Sequence, residues 1–198
     1  MPTGLRERKK AETRQAISAA ALQLAVEHGP GRVTVDDIAA AAGVSPRTVF
    51  NYFATKEEAI LGVDPDGRAQ VLQRLVDRPA HESPLTSLRE AMRTDDPRGA
   101  VSWRTRARLA REHPQLQSAY VAGFTALEDE LTNVLARRLD LDPVADPYPR
   151  LVVAVALTAL RVAVQNAIDI DQVDTLNAAV DRAFALAAVG LPAPRSAA

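Results

Sequence analysis

Residues 33–60 read VTVDDIAAAAGVSPRTVFNYFATKEEAI, and three helix starts fall within this one stretch. Thr34 stands where an N-cap belongs for a helix from Val35 to Ala41. Asp37, three residues on, is the reciprocal partner of a capping box, and Asp36 lies near the positive helix end. Ser45 caps a second helix and puts Pro46 at its first position, where the missing N–H leaves nothing unsatisfied. Thr55 and Glu58 repeat the capping-box spacing for a third. Between the first two lies Ala42-Gly43-Val44, a tight turn in which glycine takes positive φ and Val44 fills the angle between the helices. Such a layout is a helix-turn-helix, with its second helix presented outward for a DNA major groove.

Upstream, a helix is expected from about Arg6 to His28, with Ile17, Ala20, Ala21, Leu24 and His28 on one buried face, and Gly29-Pro30-Gly31 stops it. Ile38, Ala41, Val44, Val49 and Phe53 are expected to turn inward onto that face. Among the outward residues, Arg47, Thr48 and Asn51 match base edges: the arginine fork suits guanine O6 and N7, asparagine suits adenine N6 and N7, and threonine offers a methyl or a hydroxyl. Thr34, Ser45, Tyr52 and Lys56 stand at helix starts or flanks, where hydroxyl, ammonium and backbone N–H groups suit phosphates. Each has a plainer reading as well. Thr34, Ser45 and Thr55 are caps with or without DNA, and Phe50, Phe53 and Tyr52 can serve packing alone. Arg47, Asn51 and Lys56 show no local structural need for their chemistry. Residues 1–14 carry five basic groups against two acidic ones, a basic arm expected to follow the DNA backbone or enter a minor groove.

This block resembles the DNA-binding region of the TetR family of bacterial regulators. The residues that carry the resemblance are Thr34, Ile38-Ala39, Ala42-Gly43-Val44-Ser45, Thr48-Val49-Phe50-Asn51-Tyr52-Phe53 and Lys56. Family members usually have Tyr where this chain has Phe50 and often His where it has Tyr52. The first exchange removes a hydroxyl and leaves an apolar ring that can meet a thymine methyl; the second keeps a phosphate donor. The resemblance implies a DNA-binding domain over residues 1–62 and a ligand-binding and dimerisation domain over 63–198.

Beyond Gly62, Asp64-Pro65 resembles an N-cap with proline at the first helical position. Helices are expected near 65–78, 84–93, 97–112, 114–139, 148–169 and 172–189, the last capped by Asp171, with no alternating strand. The fold expected is all-α: an N-terminal three-helix domain plus a C-terminal bundle, about nine helices in total. The helix from Tyr148 is apolar nearly all round, and the last carries Val173, Leu176, Val180, Ala183, Phe184 and Ala187 at roughly heptad spacing. These two are the candidates for a two-fold homodimer interface, as the resemblance also implies, through Leu157, Val164, Leu176, Val180 and Phe184. A buried stripe within one protomer is the alternative. Phrases such as Arg108-Leu109, Arg111-Glu112-His113-Pro114 and Asp146-Pro147-Tyr148-Pro149 are similar to the subgroup containing the mycofactocin-associated regulator, which implies an acyl-CoA-like effector. Met92, Trp103, Arg108, Tyr120, Phe124, Leu127 and Leu160 form the search region for its site. Arg104, Arg106, Arg108 and Arg111 otherwise read as a solvated helix face.

The 198 residues carry 24 Lys and Arg against 25 Asp and Glu, so net charge by itself argues against a polyanion partner. Residues 1–62 nevertheless hold eight basic groups against seven acidic, and several of the acids cap helices. Without cysteine the chain has no disulfide, thiolate metal site or thiol nucleophile. No secretory signal is evident, and the apolar run Leu151 to Ala167 is shorter than a bilayer span and broken by polar residues. A cytoplasmic protein with no membrane partner is expected. Enzyme chemistry finds little support: the histidines are His28, His81 and His113, there is no H-E-x-x-H, P-loop or G-x-S-x-G, and no cofactor is expected. The pairs Asp64/Asp66, Asp95/Asp96 and Asp140/Asp142 border turns, where aspartate is ordinary, and no metal is expected. The favoured reading is a ligand-released homodimeric repressor on a near-palindromic operator. An activator, a co-repressor-dependent regulator, and a helical carrier or enzyme with an incidental helix-turn-helix remain open.

Overall fold

Helix starts in this chain are set by side-chain caps and by proline. The computed structural model describes residues 4–62, 65–93, 97–169 and 176–190, which form ten helices and no strand. These are α1 (Leu5–His28), α2 (Val35–Ala42), α3 (Pro46–Tyr52), α4 (Lys56–Leu61), α5 (Pro65–Val76), α6 (Pro84–Met92), α7 (Pro97–Glu112), α8 (Pro114–Leu139), α9 (Tyr148–Asp169) and α10 (Leu176–Ala188). Five of them begin at proline, which has no N–H to leave unpaired in the first turn. The expected count of about nine is one short. Asp64, Asp95, Asp96, Asp171 and Val173 lie outside the described residues, and so does the side chain of Leu176.

The chain divides into two compact units, and the first is discontinuous: it joins Met1–Arg68 with Arg106–Gly123. In it α1 packs on α2 and α4, and α2 on α3. Its core holds Ile17, Ala21 and Ala25 of α1, Ile38 and Ala39 of α2, Val49 and Phe53, Ala59 and Ile60, closed by Leu109, Ala110 and Leu116. Two sequence expectations fail here. His28 is exposed, because the buried face of α1 follows the four-residue series 17, 21, 25 and the helix ends at Gly29 before another turn. Ala41 is exposed as well: the buried stripe of α2 takes in Val35, Ile38, Ala39 and Ala42, and Ala41 lies past its edge.

The second unit joins Ala69–Thr105 with Phe124–Ala198. There α9 packs on α10 and α6, and α10 also meets α6. The α9 helix buries Val153, Ala156, Leu157, Leu160, Ala163 and Val164, while α10 buries Val180 and Phe184. Arg93 reaches across from the end of α6 to grip both carboxylate oxygens of Asp181 at 2.9 and 2.8 Å. Arg138 donates to the carbonyls of Leu75, Val76, Arg78 and Pro79 at 2.7–3.3 Å, satisfying acceptors that the end of α5 leaves open. The stretch Tyr148–Asn166 is, by length and composition alone, long and apolar enough to cross a membrane, a test that a core helix passes equally. One face of it is buried against α10 and α6.

Candidate nucleic-acid interface

The turn between α2 and α3 is built by local hydrogen bonds. The Thr34 hydroxyl accepts from the Asp37 N–H at 3.2 Å and donates to its carboxylate at 2.6 Å, while the Thr34 N–H donates to the same carboxylate at 3.0 Å. These two donors, the hydroxyl first and the backbone N–H second, hold the Asp37 carboxyl below its ordinary value. The α2 helix stops at Gly43, whose φ of 67° is left-handed and whose N–H returns to the Ala39 and Ala40 carbonyls. Ser45 then caps α3, accepting from the Thr48 N–H at 3.1 Å, and its hydroxyl also pairs with that of Thr48 at 2.8 Å. At α4 the Thr55 hydroxyl accepts from the Glu58 N–H, but the Glu58 carboxylate takes the N–H of Ala54 instead of that of the cap residue, so the expected reciprocal box is displaced by one residue.

With its start fixed, α3 has two unlike faces. Val49 and Phe53 are buried in the core, and Tyr52 is half-buried against it. Arg47, Phe50 and Asn51 are exposed, and at about 100° per residue they fall within roughly 100° of arc on the opposite side. Thr48 is half-buried at one edge of that arc. Thr34 and Ser45 are exposed and Lys56 is half-buried. All eight residues named from sequence therefore belong to the capped α2–α3–α4 segment.

Two cationic side chains do something the sequence reading did not anticipate. Lys56 sends its ammonium to the carbonyls of Val33 at 2.8 Å and Pro30 at 3.2 Å, so it clamps the α1–α2 loop and does have a structural use. Arg14 is not part of a free arm. The α1 helix begins at Leu5, and Arg14 donates to the Tyr52 carbonyl at 2.8 Å while its guanidinium lies 5.5 Å from the Tyr52 ring centroid and 5.0 Å from that of Phe53. Residues 5–14 are thus helical. A helix does not fit the narrow minor groove, so the minor-groove reading of this segment is withdrawn. Arg6, Arg8, Lys9 and Lys10 are exposed on the first turns.

Arg106 is a third such case, and it departs from the solvated face expected for its cluster. It donates through Nε to the Ile60 carbonyl at 3.2 Å and through a terminal nitrogen to the Ser18 hydroxyl at 2.9 Å, and that hydroxyl in turn donates to the Ala59 carbonyl at 2.9 Å. The guanidinium lies over Gly62, which ends α4 at φ 64°; a Cβ there would stand 2.6 Å from the Arg106 Cζ. The partners are 46 and 88 residues away in sequence, beyond the reach of any local pattern.

The residues named for dimerisation are placed differently from expectation. Leu157, Val164, Val180 and Phe184 are buried within the single chain, in which α9 packs on α10. The apolar surface left open on these helices is Tyr148, Leu151, Val155 and Val162 on α9, with Leu186 and Val189 at the end of α10. Of the residues named for an effector, Trp103 and Phe124 meet edge to face with centroids 6.4 Å apart. Met92 and Leu127 are half-buried and Leu160 is buried in the same unit. Arg108, which is exposed, and Tyr120, which packs against the core formed by α1–α4, belong to the other unit.

Comparison with known proteins agrees with this geometry. Residues 17–61 match the family described as bacterial regulatory proteins, tetR family, and residues 82–192 match the MftR C-terminal domain. The chain is 34% identical over 174 residues to the HTH-type transcriptional regulator TcmR of Streptomyces glaucescens, covering 80% of this chain and 74% of that protein. Among solved structures, the fatty acid degradation regulator FadR from Bacillus halodurans aligns with a TM-score of 0.59 at 18% identity, over 96% of this chain and 98% of its own. Thermus thermophilus FadR, a transcriptional repressor solved in complex with lauroyl-CoA, aligns with a TM-score of 0.53 at 21% identity, over 93% and 98%.

Proposed function

Because this chain belongs to the TetR family of bacterial transcriptional regulators, we propose that it is a ligand-responsive repressor that binds a near-palindromic operator as a homodimer. The observation that carries the reading is the outward face of α3, where Arg47 and Asn51 stand exposed with no structural work to do while Val49 and Phe53 anchor the helix from behind. Arg47 reads a guanine edge, Asn51 an adenine edge and Thr48 a neighbouring base, while Thr34, Ser45, Tyr52 and Lys56 face the phosphates. Residues 1–62 carry this function and 63–198 carry effector binding and dimerisation.

The dimer surface in this proposal is the exposed stripe Tyr148, Leu151, Val155 and Val162, whose three-and-four spacing continues through exposed Thr158 and makes a coiled-coil-like seam, extended by Leu186 and Val189. Two copies joined there present two α3 helices to successive major grooves, ~34 Å apart. The effector is a small hydrophobic or acyl-CoA-like molecule bound in the second unit near Trp103, Phe124, Met92, Leu127 and Leu160. Support comes from the edge-to-face aromatic pair and from the lauroyl-CoA complex of the Thermus thermophilus protein. An effector that prefers the state with low operator affinity releases the DNA through a coupling of ~1–3 kcal/mol. The place of action is the cytoplasm.

Binding of the purified protein to the DNA upstream of its own gene, measured at two salt concentrations, tests the reading. Arg47→Ala is expected to lose the preference for guanine at the base pair that Arg47 reads, and lauroyl-CoA to release the wild-type complex and to change Trp103 fluorescence. Unchanged operator selectivity in Arg47→Ala would refute the assignment of α3.

A further inference from the structure

Of the three residues on the outward arc of α3, Arg47, Phe50 and Asn51, only Phe50 has a side chain that can neither accept nor donate a hydrogen bond. Phe50 is 57% exposed, whereas Val49 beside it is 1% and Phe53 2% exposed, so the core of this unit is complete without the Phe50 ring. Arg47 and Asn51, both exposed, share its arc, with Phe50 at one edge and Arg47 next to it. More than half of Phe50 stays in water in the free protein, so that part of its apolar surface contributes nothing to the fold. It also cannot serve a phosphate, because it has no donor.

In the major groove only one group matches such a ring. The other groups by which base pairs are told apart there are hydrogen-bond donors and acceptors; the thymine C5-methyl is the apolar group that projects into the groove. We infer that Phe50 is a specificity-determining residue that packs its ring on a thymine methyl, at a base pair next to those read by Arg47 and Asn51. This rests on the reading that α3 enters the major groove. The short-range geometry favours it: Arg47 and Phe50 are three residues apart and Asn51 adjoins, so one helical turn presents a guanine reader, a methyl reader and an adenine reader together. A uracil at that position keeps every hydrogen-bonding group of thymine and lacks only the methyl, which makes it the discriminating probe.

The full-length protein selects its site from a randomised duplex library, and the enriched duplex is then synthesised with each thymine replaced in turn by deoxyuridine. One thymine per half-site is expected to show sensitivity. Its replacement weakens binding about fourfold, the factor for one buried methyl group, and about fifteenfold when both half-sites are changed. Phe50→Ala is expected to bind the thymine and uracil duplexes equally, while Phe50→Leu keeps a preference for thymine. Because Phe50 is exposed, both variants are expected to melt like the wild type, which circular dichroism checks. The inference is overturned if no thymine is sensitive, or if the sensitivity survives in Phe50→Ala. Failure to enrich any sequence overturns the DNA-binding reading itself, an outcome separate from an enriched site that ignores the methyl.

Discussion

Replacing Lys56 with methionine separates two uses of one ammonium group. The substitution keeps the aliphatic stem and removes the donors that reach Val33 and Pro30 at 2.8 and 3.2 Å. Both residues are buried, so the freed carbonyls are rehydrated only in part. A hydrogen bond from a charged donor contributes ~1.5–3 kcal/mol when dry and less where water competes. For a half-buried lysine with two such bonds, a loss of about 2 kcal/mol in total follows. For a chain of this size each kcal/mol moves the melting temperature by about 2–4 °C, so the expected shift is about 4–8 °C, with faster amide exchange in residues 29–34. The second use is read from salt dependence. If a remaining donor of Lys56 also meets a phosphate, the slope of log affinity against log salt falls by about 0.9 for each copy. A lower melting temperature with an unchanged slope means the lysine acts only as a clamp, and both changes together mean it does both. A wild-type melting temperature with wild-type exchange in 29–34 would refute the clamp.

Other perturbations follow from the same geometry. Gly43 and Gly62 have nearly the same φ, 67° and 64°, but a Cβ at Gly43 meets nothing within 4 Å while one at Gly62 stands 2.6 Å from Arg106. Gly43→Ala is therefore expected to cost about 1–2 kcal/mol and Gly62→Ala more, the excess shrinking in the double variant with Arg106→Ala; equal costs in urea melts would contradict the stacking argument. Leu157→Ala, a deletion in the buried core, is expected to lower stability by about 2–5 kcal/mol, whereas exposed Leu151→Glu is expected to move the sedimentation coefficient towards that of a monomer. The reverse pattern would return the dimer surface to the residues first named for it. Because the Asp37 carboxyl is held below its ordinary value of 3.8, its contribution is present above that pH and is lost as pH falls through the lowered folded value. Asp37→Asn is expected to flatten that part of the acid limb in pH-dependent melts, and an unchanged limb would count against the capping box.

Helix limits were legible because their causes are local. Thr34, Ser45 and Thr55 cap, proline opens five helices, and Gly43 and Gly62 close two, all within a few residues of what they control. The recognition helix was readable for the same reason, since its two faces alternate within seven residues. What escaped sequence reading depends on partners far along the chain. Nothing near Lys56 reveals that its ammonium folds back to Pro30, and nothing near Arg106 points to Ser18. The α9 helix shows a different limit. It is apolar on most sides, so sequence identifies it as doubly covered without saying which side turns to α10. The structure buries Leu157 and Val164 and leaves Leu151, Val155 and Val162 exposed.

The discontinuity of the first unit bears on how the protein is made. Leu109, Ala110 and Leu116 close the core around α1–α4, so a nascent chain that has exposed only its first 62 residues still lacks three of the side chains that cover it. The ribosome must add more than fifty further residues, including all of α5 and α6, before that core can shut. At ordinary elongation rates this is an interval of several seconds. The same holds for gene fusion: a DNA-binding head cut after residue 62 and joined to another body leaves its own closing helices behind, and a transferable head must carry residues 106–123 with it.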